Sequence, residues 1–233
     1  MAETRHAPVN PPPPRTSRGW RTRQRLLDAA EDVFGRDGYH RASVVDITRT
    51  AGVAQGTFYL YFPSKEALFI ELVRAMGHDM RRRLHDASRA ATSRALAEEA
   101  GFHAFFDFVA EHPNLYRVMR ECEFVAPEEF RAWYHRLAER YVEGLRRAVA
   151  AGQVRDLDLE TVAYCLMGMA DFLGMRLVLW EGRRRVPARA VRTLMEIVRH
   201  GVLREPVDGH RLDLHGAAGS TPAKPDADPA TSG

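Results

Sequence analysis

The sequence predicts an all-α protein: an N-terminal three-helix unit of helix-turn-helix type joined to a larger helical body, about nine helices in all. Three observations carry this prediction. Apolar residues recur with the 3.6-residue period through almost everything between the two polar ends of the chain. No strand-like alternation or Asn-Gly hairpin signal interrupts that period. Two short helical stretches, Ser43 to Ala51 and Ala54 to Tyr61, are separated by a turn at Gly52, which is the outline of a helix-turn-helix.

The ends come first. Residues 1–16 hold Pro8 and the run Pro11 to Pro14, which opposes helix and favours an extended, disordered arm. Residues 206–233 are rich in Gly, Ala, Pro, Asp and Thr and read as a disordered tail. Between them, 17–65 is expected to be a DNA-binding domain and 66–205 a ligand-binding and dimerisation domain. The first helix runs from about Ser17 to Asp37, with Leu26, Leu27, Ala30, Val33 and Phe34 as its apolar stripe and Gly38 as its left-handed cap. Ser43 is an N-cap for the second helix, which carries Val44, Ile47 and Ala51. Pro63 ends the third helix, and Ser64 caps a long fourth with Phe69, Leu72, Val73, Met76, Met80 and Leu84 on one face. Helix five holds Phe102, Phe105, Phe106 and Val109. Pro113 and Pro127 are placed to open helices six and seven, Asp158 to cap an eighth reaching Trp180, and Pro187 to open a ninth.

Composition bounds the function. The chain has 233 residues, 45% hydrophobic and 28% charged, an ordinary soluble balance. Its formal charge of +3 is unevenly placed: residues 1–65 carry ten Lys and Arg against six Asp and Glu, the remainder 24 against 25. A basic N-terminal part on a near-neutral body suits a polyanion partner. The two cysteines, Cys122 and Cys165, fit neither a zinc site nor a disulfide framework, and the N-terminus has no apolar signal-peptide core, so a cytoplasmic protein is expected. No phosphate-cradling Gly loop, nucleophile elbow or H-E-x-x-H spacing occurs, so the expectation is no enzyme, no cofactor and no metal.

The informative segment is SVVDITRTAGVAQGTFYLYFPSK, from Ser43 to Lys65. Ile47, Phe58 and Phe62 can form a small core with the first helix, since Phe58 and Phe62 are one helical turn apart. The outer face then offers Gln55, Gly56, Thr57, Tyr59, Leu60 and Tyr61 to a major groove. Gln55 can bond an adenine edge, Leu60 can touch a thymine methyl, and Gly56 lets backbone approach. Thr57, Tyr59 and Tyr61 can reach bases and phosphates, and Ser43 and Lys65 suit phosphates. The rival reading of the same residues is a helical hairpin with surface aromatics, in a helical small-molecule-binding or structural protein without DNA binding.

At LLDAAEDVFGRDGYHRAS, SVVDITRTAGV and GTFYLYFPSKEALF the chain closely resembles the TetR family of bacterial repressors. The resemblance spans about Arg21 to Phe69. It implies a homodimer that binds a palindromic double-stranded DNA operator and answers to a small-molecule effector. By this resemblance Gln55, Gly56, Thr57, Tyr59 and Tyr61 take recognition roles, and Ser43 and Lys65 take phosphate roles. Ala54 departs from the pattern, where members often have a capping Ser.

In the body, Phe102, Phe105, Phe106, Met119, Trp133, Met167, Met169 and Phe172 are candidates for an apolar effector pocket, with plain core as the alternative. The segment HPNLYRVMRECEFVAPEEFRAWY is more loosely similar to regulators of lipid metabolism, which implies an acyl or lipid-like effector. Glu121 and Glu123 are weighed as partners for a cationic ligand against plain surface charges. Val162 to Trp180 is apolar nearly all round. Asp171 and Arg176 inside it argue against a membrane span, and a dimer interface is expected, with Gly168 and Gly174 allowing close approach, made by Leu166, Ala170, Leu173, Gly174 and Leu177 with Leu194 and Val198 of helix nine.

Overall fold

The computed structural model of the chain describes residues 11–200. The expected tail at 206–233 and the first ten residues of the expected arm lie outside the described residues. Within them are nine α-helices and no strand: α1 Ser17–Asp37, α2 Val44–Ala51, α3 Gln55–Phe58, α4 Lys65–Ser88, α5 Arg94–Glu111, α6 Leu115–Val125, α7 Pro127–Ala150, α8 Leu159–Gly174 and α9 Ala188–His200. A π-helical stretch, Met175–Trp180, prolongs α8.

Local chemistry sets most boundaries. Thr16 Oγ1 accepts the Gly19 N–H at 3.1 Å and starts α1, whose stripe Leu26, Leu27, Ala30, Val33 and Phe34 is buried. Ser43 and Asp46 form a reciprocal capping box at α2. Gly52 ends α2 at φ 63°, ψ 43°, a left-handed conformation that costs glycine least. The Ser64 hydroxyl accepts from Ala67 N–H at 3.0 Å and opens α4. With 24 residues, α4 is about 36 Å long.

Two boundaries differ from expectation. Helix α3 is a single turn, followed by tight turns in which Tyr61 N–H donates to Phe58 O at 2.9 Å. Ala54 supplies no side-chain cap at its start, and Phe62, preceding Pro63, is disfavoured in helical conformation. Helix α6 begins at Leu115 rather than Pro113, because residues 112–115 close a turn in which Leu115 N–H donates to His112 O at 2.9 Å.

Helix α1 packs on α2, α4 and α6, and α4 runs along α5, α6 and α7. Helix α8 packs on α7 and α5. Residues 11–200 form one compact unit, so the boundary expected at 65/66 marks no break in packing; α4 belongs to both sides of it. One buried cluster continues from Leu26, Ile47 and Phe58 to Phe102, Met119 and Trp133.

The expected dimer face needs correction. Leu166, Ala170, Gly174, Leu177 and Leu194 are buried within the chain itself, and Leu173 and Val198 are partly buried against its core. Helix α9 packs mainly on α5 rather than pairing with α8. The outward face of α8 and its extension is instead Tyr164, Cys165, Gly168, Phe172 and Trp180, with Phe172 61% and Trp180 58% exposed. The stretch Leu159–Trp180 is long and apolar enough to cross a membrane by length and composition, but its other face is packed inside the helical body.

Candidate nucleic-acid interface and effector cavity

The small core beneath the turn forms as its spacing requires. Ile47 and Phe58 are fully buried, Phe62 nearly so, and the Phe58 and Phe62 rings lie 5.8 Å apart. Arg25 reaches across from α1 and donates to the Ala51 and Gly52 carbonyls, tying the turn to α1. With those side chains inward, the rest of the segment faces out. Gln55 and Gly56 are exposed, Tyr59 is 51% and Leu60 69% exposed, and Thr57 and Tyr61 are half-buried. A Cβ placed on Gly56 would meet nothing within 4 Å.

The two residues expected at phosphates have their polar atoms engaged within the chain. Lys65 Nζ donates to Tyr39 O at 2.6 Å and Ala42 O at 2.9 Å and stands 4.3 Å from the Tyr39 ring centroid. Two of its three donors therefore hold the α1–α2 loop, and partial burial pulls its pKa below the usual lysine value, opposed by nearby Glu121. The Ser43 hydroxyl and N–H are both engaged with Asp46. Lys65 and Ser43 are thus parts of the scaffold under the reading face. Arg49, missed in the sequence, offers an exposed guanidinium on α2 whose one ion pair among the described residues is to Asp46 of its own helix at 3.0 Å.

The body holds a cavity of about 810 Å³, partly open to solvent, with walls from α4, α5, α6, α7 and α8. Of the eight expected pocket residues, Phe102, Phe105, Met119, Trp133 and Met167 line it. Phe106 does not: it is buried in the core, turned about 100° round the helix from Phe105. Met169 and Phe172 are also off the wall, Met169 about 200° round α8 from the lining residue Met167 and Phe172 about 200° from the lining residue Ala170. Leu166 and Ala170, assigned to the dimer face by their spacing, line this cavity instead.

The cavity also has polar walls that the sequence reading missed. Buried Glu98 accepts from Arg94 Nε at 2.7 Å and from the Tyr141 hydroxyl. Burial, then the adjacent Glu98, raises the Tyr141 pKa well above the usual phenol value. The Tyr116 hydroxyl donates to the Asp171 carbonyl at 3.1 Å. Burial raises the Asp171 carboxyl pKa above the usual range, and burial followed by that carboxylate does the same to Tyr134. The signal available in the sequence was one acid, Asp171, inside an otherwise apolar helix.

Polar contacts join the cavity wall to α1. Helix α6 presents Leu115, Tyr116 and Met119 to the cavity. From its other side Arg117 Nη1 donates to Gly35 O at 2.8 Å, and Glu121 accepts the Tyr39 N–H. Just before α6, His112 Nδ1 lies 2.9 Å from Glu31 Oε1. Gly35 permits this approach, since a Cβ there would collide with Asn114. Glu121, weighed above as a ligand partner, is spent on this contact.

A helix-turn-helix reader on a cavity-bearing helical body is the architecture of a ligand-responsive DNA-binding protein. A family model described as "Bacterial regulatory proteins, tetR family" matches residues 26–72. The chain is 33% identical over 170 residues to the HTH-type transcriptional regulator YdgC of Bacillus subtilis, covering 67% of this chain and 81% of that protein. It is 28% identical over 186 residues to the HTH-type transcriptional repressor Rv1474c of Mycobacterium tuberculosis, covering 78% and 93%. Its fold is similar to that of the transcriptional regulator FadR from Bacillus subtilis, solved in complex with stearoyl-CoA, with a TM-score of 0.69 at 22% identity over 77% of this chain and 99% of that one. The chain belongs to the TetR family and is a DNA-binding transcriptional regulator.

Proposed function

We propose that this regulator is a cytoplasmic homodimeric repressor that leaves a palindromic operator when an elongated, acyl or lipid-like effector fills the cavity. The observation that carries the reading is helix α6, which lines the cavity with one side and holds α1 with the other. An effector that displaces Tyr116 or Met119 moves Arg117 and Glu121, and with them the end of α1 against which the reader is built. Helix α4 runs from Lys65 beside the reader to Ser88 at the cavity and transmits the same shift. The energy needed is modest: a 100-fold preference for the released state corresponds to about 2.7 kcal/mol.

The outward face of α8 supports the dimer. Phe172 and Trp180 meet edge to face at 5.7 Å and remain exposed, beside Tyr164 and the open Gly168. Large exposed aromatics on an apolar helix call for a partner surface, and a two-fold copy supplies it. On DNA, Gln55, Gly56, Thr57, Tyr59, Leu60 and Tyr61 read the major groove, with Arg49 available to a phosphate. The relative solved with stearoyl-CoA and the relative named as a repressor support the effector class and the sense of regulation.

The test is selection of bound DNA from a random pool, then titration of the selected site with and without stearoyl-CoA. A palindromic site whose affinity falls on adding the acyl-CoA is the expected result. An asymmetric site, or an affinity indifferent to acyl-CoA esters and free fatty acids alike, refutes the corresponding part.

A further inference from the structure

The cavity is not a plain apolar tube, and its polar groups are placed unevenly. Arg81 on α4 lines it half-buried and has no acidic partner among the described residues. Its pKa is held below the usual arginine value by burial and then by two like charges, Arg136 and Arg140 of α7. Arg140, exposed to water, also lines the cavity and is likewise without an acidic partner among the described residues, where Arg136 has one long pair, 3.7 Å, to Glu129, whose other oxygen Arg74 takes. Desolvating a guanidinium beside two others is unfavourable unless an anion arrives.

Six residues earlier on α7 stands Tyr134, about 9 Å along the helix from Arg140. Here the chemistry reverses. Asp171 lines the cavity mostly buried, near Tyr116, which donates to its backbone carbonyl at 3.1 Å, and near Tyr134, whose pKa is raised by burial and then by the Asp171 charge; its carboxylate has no donor among the described residues. The other carboxylates at the wall differ from it. Glu98 is held by Arg94 and Tyr141, Glu143 by Arg146 and Arg147, and Glu139 is exposed to water. An aliphatic chain end laid on Asp171 would strip its remaining water and return no hydrogen bond.

We propose that the effector has two polar ends: an anionic head held by Arg81 and Arg140, and a hydrogen-bond donor, a hydroxyl or protonated amine, held by Asp171 and Tyr134. The apolar wall between them, Phe102, Met119, Trp133 and Met167, takes the connecting chain. This rests on the reading that the cavity is the effector site, and narrows the effector from acyl compounds in general to those functionalised at the far end.

The test uses the full chain and three matched probes: dodecanoic acid, 12-hydroxydodecanoic acid and 12-aminododecanoic acid, titrated by calorimetry. The hydroxy or the amino acid should bind at least tenfold more tightly than dodecanoic acid, and whichever leads identifies the donor. Asp171→Leu should reverse the order in favour of dodecanoic acid. Asp171→Asn, nearly the same shape, should keep the hydroxy acid and lose the amino acid. Arg81→Gln should weaken all three while leaving dodecan-1-ol unchanged. Dodecanoic acid binding as tightly as both others, no binding by any probe, or selectivity unaltered in both Asp171 variants overturns the proposal. The regulator reading is separable: operator affinity that falls with stearoyl-CoA while the probes show no selectivity sinks this inference alone. Selective probe binding that leaves operator affinity unmoved sinks the effector reading and keeps the site.

Discussion

Lys65→Met tests whether this lysine holds the fold or the DNA. Its ammonium makes two hydrogen bonds to backbone carbonyls, at 2.6 and 2.9 Å, and faces the Tyr39 ring. Hydrogen bonds to a charged group contribute about 1.5–3 kcal/mol each when buried, and a cation over an aromatic face adds about 0.5–1 kcal/mol. The site is only partly buried, so water screens these terms and can replace the lost donors at the carbonyls. Methionine also keeps much of the stem's apolar packing. A net cost of about 2 kcal/mol follows. For a chain of this size that lowers Tm by about 4–8 °C. The assay is urea unfolding of both proteins, paired with operator titrations over a range of salt. A phosphate contact gives the opposite pattern: stability nearly unchanged and a salt slope smaller by about one unit. Finding that pattern would refute the scaffold assignment.

Gly168→Arg is expected to dissociate the dimer and abolish operator binding while the monomer stays folded, because the position is open; sedimentation velocity and circular dichroism check this. Gly174→Ala, whose Cβ would collide with the Tyr116 hydroxyl, should instead lower thermal stability and perturb the cavity wall, read by differential scanning calorimetry. The His112 pKa is raised, first by its hydrogen bond to Glu31, so its contribution is fully present below the unfolded value of about 6.5 and is lost as pH rises through the folded pKa. Wild type should therefore exceed His112→Gln in stability most below about pH 6.5 and converge with it in alkaline buffer; a gap that widens with pH contradicts the Glu31 pairing. Gln55→Ala should cost about 1–3 kcal/mol and relax preference at one base position per half-site, measured by repeating the selection from random DNA.

The reader was legible where its sequence states a boundary twice. Ser43 and Ser64 are capping residues, and Gly38 and Gly52 are glycines at positive φ; each sits where the apolar period also starts or stops. Local preference and tertiary packing then demand the same structure. Where only one signal spoke, the outcome was worse. Ala54 gives no cap, and α3 came out a single turn; Pro113 marked the neighbourhood of α6 but not its first residue. Lys65 shows a different limit. Positive charge near a DNA reader invites a phosphate role, but the carbonyls of Tyr39 and Ala42 that claim it belong to a loop more than twenty residues away.

The faces of α8 were illegible for a physical reason. A helix that buries one side reveals its register through polar residues on the other. Helix α8 has little polar surface to give: its inner side, Leu166, Ala170 and Gly174, faces cavity and core, while its outer side, Tyr164, Gly168 and Phe172, stands exposed. Both sides read as apolar, and glycine as a close-packing residue fits either. An all-round apolar helix with glycines was therefore given to a partner, and the inner set with it. Asp171 was the residue able to break the tie. In water-facing register a lone acid needs no explanation; inside the helical body it does, and the structure puts it at the cavity wall with two tyrosines. The odd polar residue in an apolar helix thus carries more positional information than the surrounding leucines, because burying it is costly enough to demand a reason. Here that reason lies inside the cavity, and a charge-neutral replacement at Asp171 is the smallest change that should alter ligand choice while leaving helix packing and the α8 outer face intact.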